Sequence, residues 1–463
     1  MLLKKNIIED IRPTLYRGLK YWGKKPHNVW RELIQQHTSE RSIVYDPFAG
    51  SALTFFEAIK IRRKPIVCDI NPITLFLVDV YSKSYDINRI QNIALKIIQN
   101  IKQKKIYINN YRTVCSSCNH EVDIYNYRWI KGSHNAFSYK CPYCHHTITQ
   151  KNESHELYGE KLNAWKPTFD LSKLSSVNSS FVQKIGGCDI SHLWTSRNFE
   201  LLCLLFSEIC DITYPERDAL MFAFLQMVHL TTKMCALRGK NTNRPLSTSW
   251  GRPAYLGLKD FMEQNPIIQF ERAINGRTGV VNCLLSRDKY LPRYTYSTDL
   301  KDIQNVDGIV LLKDSREVSK GFKADFIITD PPYGSIIQYG ELSQVWNVWL
   351  NKYDKRYIVS LDKEIIVNKH KNYEQYIQNM AHVFTNCRKL LKPNGDIIVT
   401  YNSNKHEDWI ALEQSINAAT LYIKEKKIQM NKRSSEAQVG SKQGIAISDY
   451  YLSLSPNIAV EWN

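Results

Sequence analysis

Apolar residues in this chain recur as short runs rich in Val and Ile, which is the pattern of strands buried on both faces of a sheet. These runs lie at residues 43–45, 65–68, 308–312 and 326–328. Each run leads into an aspartate, and the four are Asp46, Asp69, Asp314 and Asp330. Helical patterns alternate with the runs, so the sequence predicts an α/β fold with a doubly wound sheet. In such a sheet, ligands bind at the carboxyl ends of the strands.

The remaining apolar patterns extend this prediction. Between the second and third runs, helical periodicity dominates at residues 87–105, 196–210 and 215–235. Its apolar positions are typical of a core and not of a site. Near the end of the chain, residues 445–454 alternate between apolar and polar, which predicts a last strand at the edge of the sheet.

A glycine turn follows the first run. Residues 46–52 read DPFAGSA, and the helical pattern of residues 53–61 comes next. The turn places a helix N-terminus, with its free N–H groups, beside whatever binds there. Asp69 ends the next strand about 20 residues further on, where an acid is placed to hold ribose hydroxyls.

The fourth run stops at Asp330-Pro331-Pro332-Tyr333, which cannot continue a sheet. These residue types suit the methylation of an exocyclic amine on a nucleobase. Asp330 and a proline carbonyl, with Pro331 as the candidate, can accept the two N–H groups of the amine. Tyr333 offers a flat face on which a base that has left its helix can stack. An ordinary Pro-Pro turn after a core strand is the alternative.

Four of the 11 cysteines form two Cys-x-x-Cys pairs, which are Cys115, Cys118, Cys141 and Cys144. Two such knuckles about 20 residues apart predict a four-thiolate zinc site. Four thiolates leave no open coordination position, so the predicted zinc is structural. His120, His145 and His146 are the alternative ligands nearby.

The net charge of the chain indicates what kind of partner it binds. Lys and Arg outnumber Asp and Glu by 62 to 45 in 463 residues, a net charge of +17, which favours a polyanionic partner. A solvated basic surface is the alternative. No 18-residue apolar run occurs, and the first residues lack the apolar core of a signal peptide, so we expect a cytoplasmic protein without membrane association.

With these motifs in place, the chain resembles the amino-methyltransferases of DNA, which use S-adenosylmethionine to methylate adenine-N6 or cytosine-N4. Within them it resembles a bacterial and phage group with an inserted zinc ribbon. The family's motif Asp-Pro-Phe-x-Gly-Ser-Gly stands at residues 46–52, with Ala52 in place of the last glycine. Its Asp-Pro-Pro-Tyr motif is intact at residues 330–333, and the group's YWGKKPH stretch is present at residues 21–27.

The resemblance implies a Rossmann-like methyltransferase fold, S-adenosylmethionine as cofactor and double-stranded DNA as partner. It implies that Asp330, Pro331, Pro332 and Tyr333 are catalytic. The implied cofactor-binding residues are Tyr21, Lys25, Asp46, Pro47, Phe48, Gly50, Asp69 and Asp314. It also places target recognition in the centre of the chain, where the basic segments 238–245 and 250–252 carry Arg and Asn, the residue types that read base edges.

We therefore divide the chain into four regions. These are a first core part (1–85), a helix plus zinc ribbon (86–150), a helical target-recognition region (151–304) and a second core part (305–463). Adenine-N6 is favoured over cytosine-N4, because an aspartate leads the catalytic motif. RNA methylation stays an alternative, and so does a catalytically decayed DNA-binding subunit, because of Ala52. The sequence leaves open whether a restriction endonuclease acts with this protein.

Overall fold

The fold is a large, mostly parallel α/β sheet with a long insertion. The computed structural model describes residues 7–152, 158–159, 161–237, 246–247, 255–358, 360–430 and 448–456. The strands are β1 (Ile43–Asp46), β2 (Lys64–Asp69), β3 (Arg112–Val114), β4 (Glu121–Ile130), β5 (Ser133–Lys140), β6 (Thr147–Lys151), β7 (Cys235–Ala236), β8 (Leu246–Ser247), β9 (Phe261–Gln264), β10 (Tyr296–Ser297), β11 (Gly308–Leu312), β12 (Ala324–Thr329), β13 (Leu391–Tyr401), β14 (Leu421–Met430) and β15 (Ser448–Pro456).

Helices connect most of these strands. They are α1 (His27–His37), α2 (Leu53–Lys60), α3 (Pro72–Ser82), α4 (Ile87–Lys102), α5 (Lys105–Tyr111), α6 (Ser179–Ile185), α7 (Ser196–Cys210), α8 (Glu216–Met227), α9 (Pro266–Asn275), α10 (Val280–Tyr290), α11 (Tyr339–Leu342), α12 (Gln344–Tyr353), α13 (Tyr373–Leu390) and α14 (His406–Ala418). The predicted strands and helices of the two core parts all form, with ends shifted by a few residues.

The main sheet has the strand order β10-β11-β2-β1-β12-β13-β15-β14. Neighbouring strands are parallel up to β13, and β15 runs antiparallel to both of its neighbours. The chain moves outward from β1 in one direction through β2 and in the other direction through β12. This reversal of strand order beside β1 creates the crevice in which open α/β sheets bind ligands.

Alternate residues of the central strands fill two hydrophobic cores, as the period of two in a strand requires. Val44 and Phe326 point into the core that contains apolar residues of α1, α2 and α3. Tyr45 and Ile327 point to the opposite core, against α13 and α14. The central strands are therefore covered on both faces, which explains their unbroken apolar runs.

The insertion builds a second sheet of seven strands, in the order β6-β5-β4-β9-β7-β8 with β3 paired to β4. Strand β9 pairs with β4, with Asn126 opposite Gln264 and Trp129 opposite Phe261. This sheet crosses the predicted division at residue 150, and the region predicted as helical contributes β7, β8 and β9. Strand β10 also precedes the predicted boundary at residue 305, yet it pairs with β11 in the main sheet. The division into domains stays a prediction.

One predicted strand lies elsewhere in the sheet. The prediction that the last strand occupies the edge is wrong, because β15 lies between β13 and β14. Its residues Tyr451, Leu452 and Leu454 are buried. The edge is β14, where exposed side chains alternate with partly buried ones along LYIKEKKIQM. The alternation in β15 therefore reflects two packed faces and not an exposed edge.

Candidate active site

The carboxyl ends of β1, β2 and β12 surround a cavity of about 940 Å³, a volume that includes its opening to solvent. Residues 46–51 of the glycine turn line one wall, and Asp69 lies beside them. Asp330 and Pro332 line the same cavity. The two motifs are far apart in sequence, and the fold brings them to one cavity.

The glycine turn has the backbone that only glycine adopts without strain. Gly50 has a φ of +50°, and a Cβ at this position would lie 3.0 Å from the ring of Tyr21. Tyr21 therefore covers the turn directly, as part of the predicted cofactor site. Its ring stacks on that of Tyr339, with 5.9 Å between ring centroids. These two rings form an aromatic layer over the turn.

Ala52 also has left-handed backbone, with φ of 60° and ψ of 26°. A left-handed alanine is strained by roughly 1 kcal/mol relative to glycine. Its side chain is fully buried in the core and is not among the residues that line the cavity. The methyl group that replaces the family's glycine is therefore accommodated by the core.

The hydrogen bonds of Asp46 hold the glycine turn in place. Its carboxylate accepts hydrogen bonds from the Phe48 N–H (3.0 Å), the Thr329 hydroxyl (2.8 Å) and the Thr54 hydroxyl. Burial raises the pKa of Asp46 to about 7, although these donors oppose the shift. Asp46, Pro47 and Phe48 all line the cavity. The contribution of Asp46 in this structure is to shape the turn.

The predicted ribose acid, Asp69, faces the cavity while bound to backbone. It accepts hydrogen bonds from the Gly50 N–H (2.6 Å) and the Asn71 N–H (2.8 Å). Burial raises its pKa to about 6, and these backbone donors oppose the shift. A carboxylate oxygen has two lone pairs, so each oxygen can still accept from a ligand hydroxyl.

Asp314 is the third predicted acid on this rim, and it lines the cavity as well. Its carboxylate forms an ion pair with Arg316, which donates from Nε to both carboxylate oxygens at 3.0 and 2.9 Å. It also accepts from the Arg316 backbone N–H at 2.9 Å. Asp314 therefore stabilises the rim at the end of β11, next to the cavity.

At the predicted catalytic motif, three donors converge on one oxygen of Asp330. Oδ1 accepts the hydroxyl of Thr400 at 2.8 Å and the hydroxyl of Tyr333, and Lys25 Nζ lies 3.2 Å away. No donor from the described residues bonds to Oδ2. Burial raises the pKa of Asp330, while the charge of Lys25 lowers it. One carboxylate oxygen is thus fixed and the other is unused.

The carbonyl groups of the two prolines in the motif also differ in their hydrogen bonding. The carbonyl of Pro332 accepts the Tyr376 hydroxyl at 2.7 Å. The carbonyl of Pro331 accepts no hydrogen bond from the described part of the chain. The Tyr333 ring packs edge-on against Tyr401, with 4.7 Å between centroids, while its hydroxyl reaches Asp330. An unused acceptor therefore lies on each of two consecutive residues, Asp330 and Pro331.

Lys25 lines the cavity and contacts the predicted catalytic motif, and its role in cofactor binding stays a prediction. Its Nζ contacts the Tyr333 hydroxyl at 2.6 Å, Asp449 Oδ1 at 2.9 Å and Asp330 Oδ1 at 3.2 Å. An ammonium group has three N–H donors, so these acceptors use all of them. Burial lowers the pKa of Lys25, but the two carboxylates outweigh it and raise the pKa overall.

Sequence reasoning missed Glu364, a buried acid in the cavity wall. Its Oε1 accepts the Gly340 N–H at 2.8 Å, and burial raises its pKa to about 7. No donor from the described residues bonds to Oε2. Glu364 stands in the stretch LDKEIIV, which carries no motif. The one available signal was an acidic residue directly before the apolar run of residues 365–367.

The four predicted metal ligands come together at one end of the insertion. Their Sγ atoms all lie within 4.8 Å of one another. Cys115 and Cys144 are separated by 3.7 Å, and Cys118 and Cys141 by 3.5 Å. A tetrahedron with zinc–sulfur bonds of about 2.3 Å has sulfur–sulfur edges of about 3.8 Å. The cluster therefore fits a zinc ion.

The nearby histidines do not belong to this cluster. His120 stacks on Tyr143 with 4.0 Å between ring centroids, and its Nδ1 lies 3.0 Å from the Cys118 carbonyl oxygen. His145 and His146 are exposed, and no histidine is grouped with the thiols in the described residues. Four thiolates satisfy a structural zinc site without them.

Two further expectations concern the basic segments and membrane association. The basic segments 238–245 and 250–252, predicted to read bases, lie outside the described residues. Within the described ranges, no helix combines the length and apolar character that crossing a membrane requires.

Comparison with known proteins gives a family match over the two core parts. Residues 5–75 and 324–451 match a family described as DNA methylase, and the insertion between them is not matched. No curated protein matches significantly. Both matched segments contribute to the cavity, since one holds the glycine turn and the other holds Asp330.

Among solved structures, the chain is similar to a candidate methyltransferase from Thermoplasma acidophilum, at 8% identity and a TM-score of 0.18. That match covers 35% of this chain and 56% of the other. It is also similar to a SAM-dependent methyltransferase from Leishmania major, at 12% identity and a TM-score of 0.18. That match covers 35% of this chain and 53% of the other. This chain thus spans just over half the length of each. TM-scores this low do not establish a shared fold.

Proposed function

We propose that this protein transfers a methyl group from S-adenosylmethionine to the exocyclic amine of a base in DNA, with adenine-N6 as the favoured target. One observation carries the proposal. The glycine turn and the Asp330 motif line a single cavity, and Asp330 Oδ2 and the Pro331 carbonyl have no partner in the described residues. The match of both motif-bearing segments to a DNA methylase family supports the same function.

The unused acceptors explain how the chain activates the amine. The nitrogen is a poor nucleophile while its lone pair is delocalised into the ring. Asp330 Oδ2 and the Pro331 carbonyl accept its two N–H groups, which favours a tetrahedral nitrogen whose lone pair is no longer conjugated with the ring and can attack the methyl group. Tyr333 and the residues around it hold the base after it leaves the duplex. The proton departs after nitrogen becomes positively charged, so no strong base is required.

The opposite wall suits the cofactor, which supplies an electrophilic methyl group when bound. Pro47, Phe48 and Gly50 line the cavity and would hold the methionine portion. Asp69 and Glu364 would accept the ribose hydroxyls, and Asp314 borders the adenine end. Tyr21 closes the turn from above. The chain thereby aligns the amine with the methyl group and excludes water from the space between them.

Mass spectrometry of the modified nucleoside tests the substrate. Duplex DNA and RNA of matched sequence are incubated with the protein and isotopically labelled S-adenosylmethionine. N6-methyladenine in the DNA is the expected product. N4-methylcytosine would establish the alternative target, and label confined to RNA would contradict the assignment to DNA.

The decayed-subunit alternative predicts a protein that binds DNA without binding the cofactor. The buried methyl of Ala52 lies outside the cavity lining, which favours an intact cofactor site. Calorimetry decides between the two, because an enzyme binds S-adenosylmethionine and a decayed subunit does not. A restriction endonuclease as partner stays a hypothesis, to be tested by co-purification.

We also propose that the four-cysteine cluster holds a structural zinc ion. Metal analysis should find one zinc per chain, and a strong chelator should unfold the surrounding strands because metal binding supplies their folding energy. Replacement of Cys118 by Ser should abolish the bound zinc. The same substitution at Cys188, an exposed cysteine outside the cluster, is the control.

A further inference from the structure

Lys25 joins three parts of the molecule that are distant in sequence. It lies just before α1, Asp330 lies at the end of β12, and Asp449 lies on β15. The Lys25 side chain is only 7% exposed and lies between the two carboxylates, at 3.2 Å from Asp330 and 2.9 Å from Asp449. The buried Lys25 therefore supplies one positive charge to two negatively charged partners.

The hydroxyl groups around Asp330 supply no positive charge. Tyr333 from its own loop and Thr400 from β13 donate neutral hydroxyl groups. Tyr339 from α11 and Tyr451 from β15 also interact with its charge. Among the described residues, Lys25 is the only basic side chain that forms an ion pair with Asp330. The charge state of Asp330 therefore depends on Lys25.

The two neighbours of Asp330 act in opposite directions. Burial raises the pKa of Asp330, Lys25 lowers it, and the negative charge of Asp449 raises it. A protonated Asp330 carries a hydrogen on one oxygen and loses an acceptor. Since the proposed chemistry needs Oδ2 as an acceptor, the reaction needs the ionised form.

We propose that Lys25 is a positioning residue, which keeps Asp330 ionised and its Oδ1 anchored so that Oδ2 is left for the substrate amine, and that Asp449 holds Lys25 in place. This inference rests on the proposed methyl transfer. It gives Lys25 a role at the substrate end of the cavity. It also explains why a residue of β15 takes part in a site built by β1 and β12.

Two substitutions with opposite expected effects test this role. Lys25→Met removes the positive charge, so the acid limb of the pH–rate profile should move up by about 1 pH unit or more. Asp449→Asn removes the competing negative charge, so that Asp330 is the one carboxylate among the described residues paired with Lys25. The acid limb of the pH–rate profile should therefore move to lower pH. Loss of structure alone does not move the two variants in opposite directions.

Another lysine–aspartate ion pair provides a control. Lys392 of β13 forms an ion pair of 2.6 Å with Asp325 at the start of β12, at the opposite end of that strand from Asp330. Lys392→Met makes the same charge change and should leave the pH–rate profile in place. Circular dichroism of each variant verifies that it folds.

A second readout does not depend on activity. The infrared band of a protonated buried carboxyl group is followed against pH, and Asp330→Asn identifies the band that belongs to Asp330. That band should appear at higher pH in Lys25→Met and at lower pH in Asp449→Asn. Unchanged titration, or movement in the same direction in both variants, would overturn the role of Lys25. A wild-type protein that transfers no methyl group would refute the proposed function, and the infrared titration would still decide the role of Lys25.

Discussion

Three carboxyl groups in the cavity wall, Asp46, Asp69 and Glu364, have pKa values raised to about 7, 6 and 7. In each case burial is the largest cause, because it removes water from the charged form. Asp46 and Asp69 have donors on both oxygens, whereas Glu364 has one backbone donor. A ligand that brings hydroxyl groups to this wall would stabilise the charged forms.

Glu364 makes a prediction about stability and pH. A carboxyl whose pKa is higher in the folded state stabilises the fold at low pH, and this contribution is lost as the pH rises from its unfolded value toward 7. Glu364→Gln should therefore reduce the fall in unfolding free energy between pH 5 and 6.5, by up to about 1.4 kcal/mol per pH unit. Urea denaturation across this range measures it, with Glu374→Gln on exposed helix surface as control. Parallel curves for wild type and Glu364→Gln would contradict the effect.

Ala52 gives a second prediction at this scale. Ala52→Gly relieves about 1 kcal/mol of left-handed strain but removes a buried methyl worth about 0.8 kcal/mol. The net change in unfolding free energy should therefore be small. Because the methyl faces the core, the dissociation constant for S-adenosylmethionine should stay within about twofold of wild type in calorimetry. A tenfold gain in affinity would show that the alanine obstructs the cofactor.

At the level of elements, a buried ion pair joins the second sheet to helix α7. Glu263 of β9 accepts hydrogen bonds from Arg197 of α7 at 2.8 Å and from Trp129 of β4 at 2.6 Å. Both charged side chains are almost fully buried, and the guanidinium lies over the ring of Tyr127 at 3.8 Å. This cluster fixes strands β4 and β9 to helix α7.

Breaking the pair should therefore be costly. Glu263→Ala leaves the Arg197 charge buried and unpaired, and should lower the unfolding free energy by about 3–5 kcal/mol. Replacing both partners, as in Arg197→Met with Glu263→Leu, should recover most of the loss. Thermal or chemical unfolding measures both variants. Equal losses in the single and double variants would show that the ion pair is not the cause.

The elements also show how far the sequence leads. The glycine turn, the Asp330 motif and the cysteine knuckles are local patterns, and each forms where its residues predict. Asp449 reaches Lys25, and Glu364 reaches the cavity wall, through the paths of separate segments, which no local pattern encodes. The position of β15 has the same origin, because alternation in a strand does not reveal which neighbours it pairs with.

For the whole molecule, the net charge of +17 predicts strongly salt-dependent DNA binding. Each phosphate neutralised releases counterions, and six or more contacts lower the affinity by about 10³-fold between 50 and 200 mM salt. Fluorescence anisotropy with a labelled duplex measures this loss. Salt-independent binding would show that the basic residues do not face the phosphates.

The central claim is that the early glycine turn and the late Asp330 motif serve one methyl-transfer reaction. The most direct measurement is the single-turnover rate of methyl transfer to duplex DNA by wild type and Asp330→Asn, each saturated with S-adenosylmethionine. Asp330→Asn should bind cofactor and DNA as wild type does, while its rate of methyl transfer should fall by at least about 10²-fold. An equal rate in the two proteins would contradict the central claim.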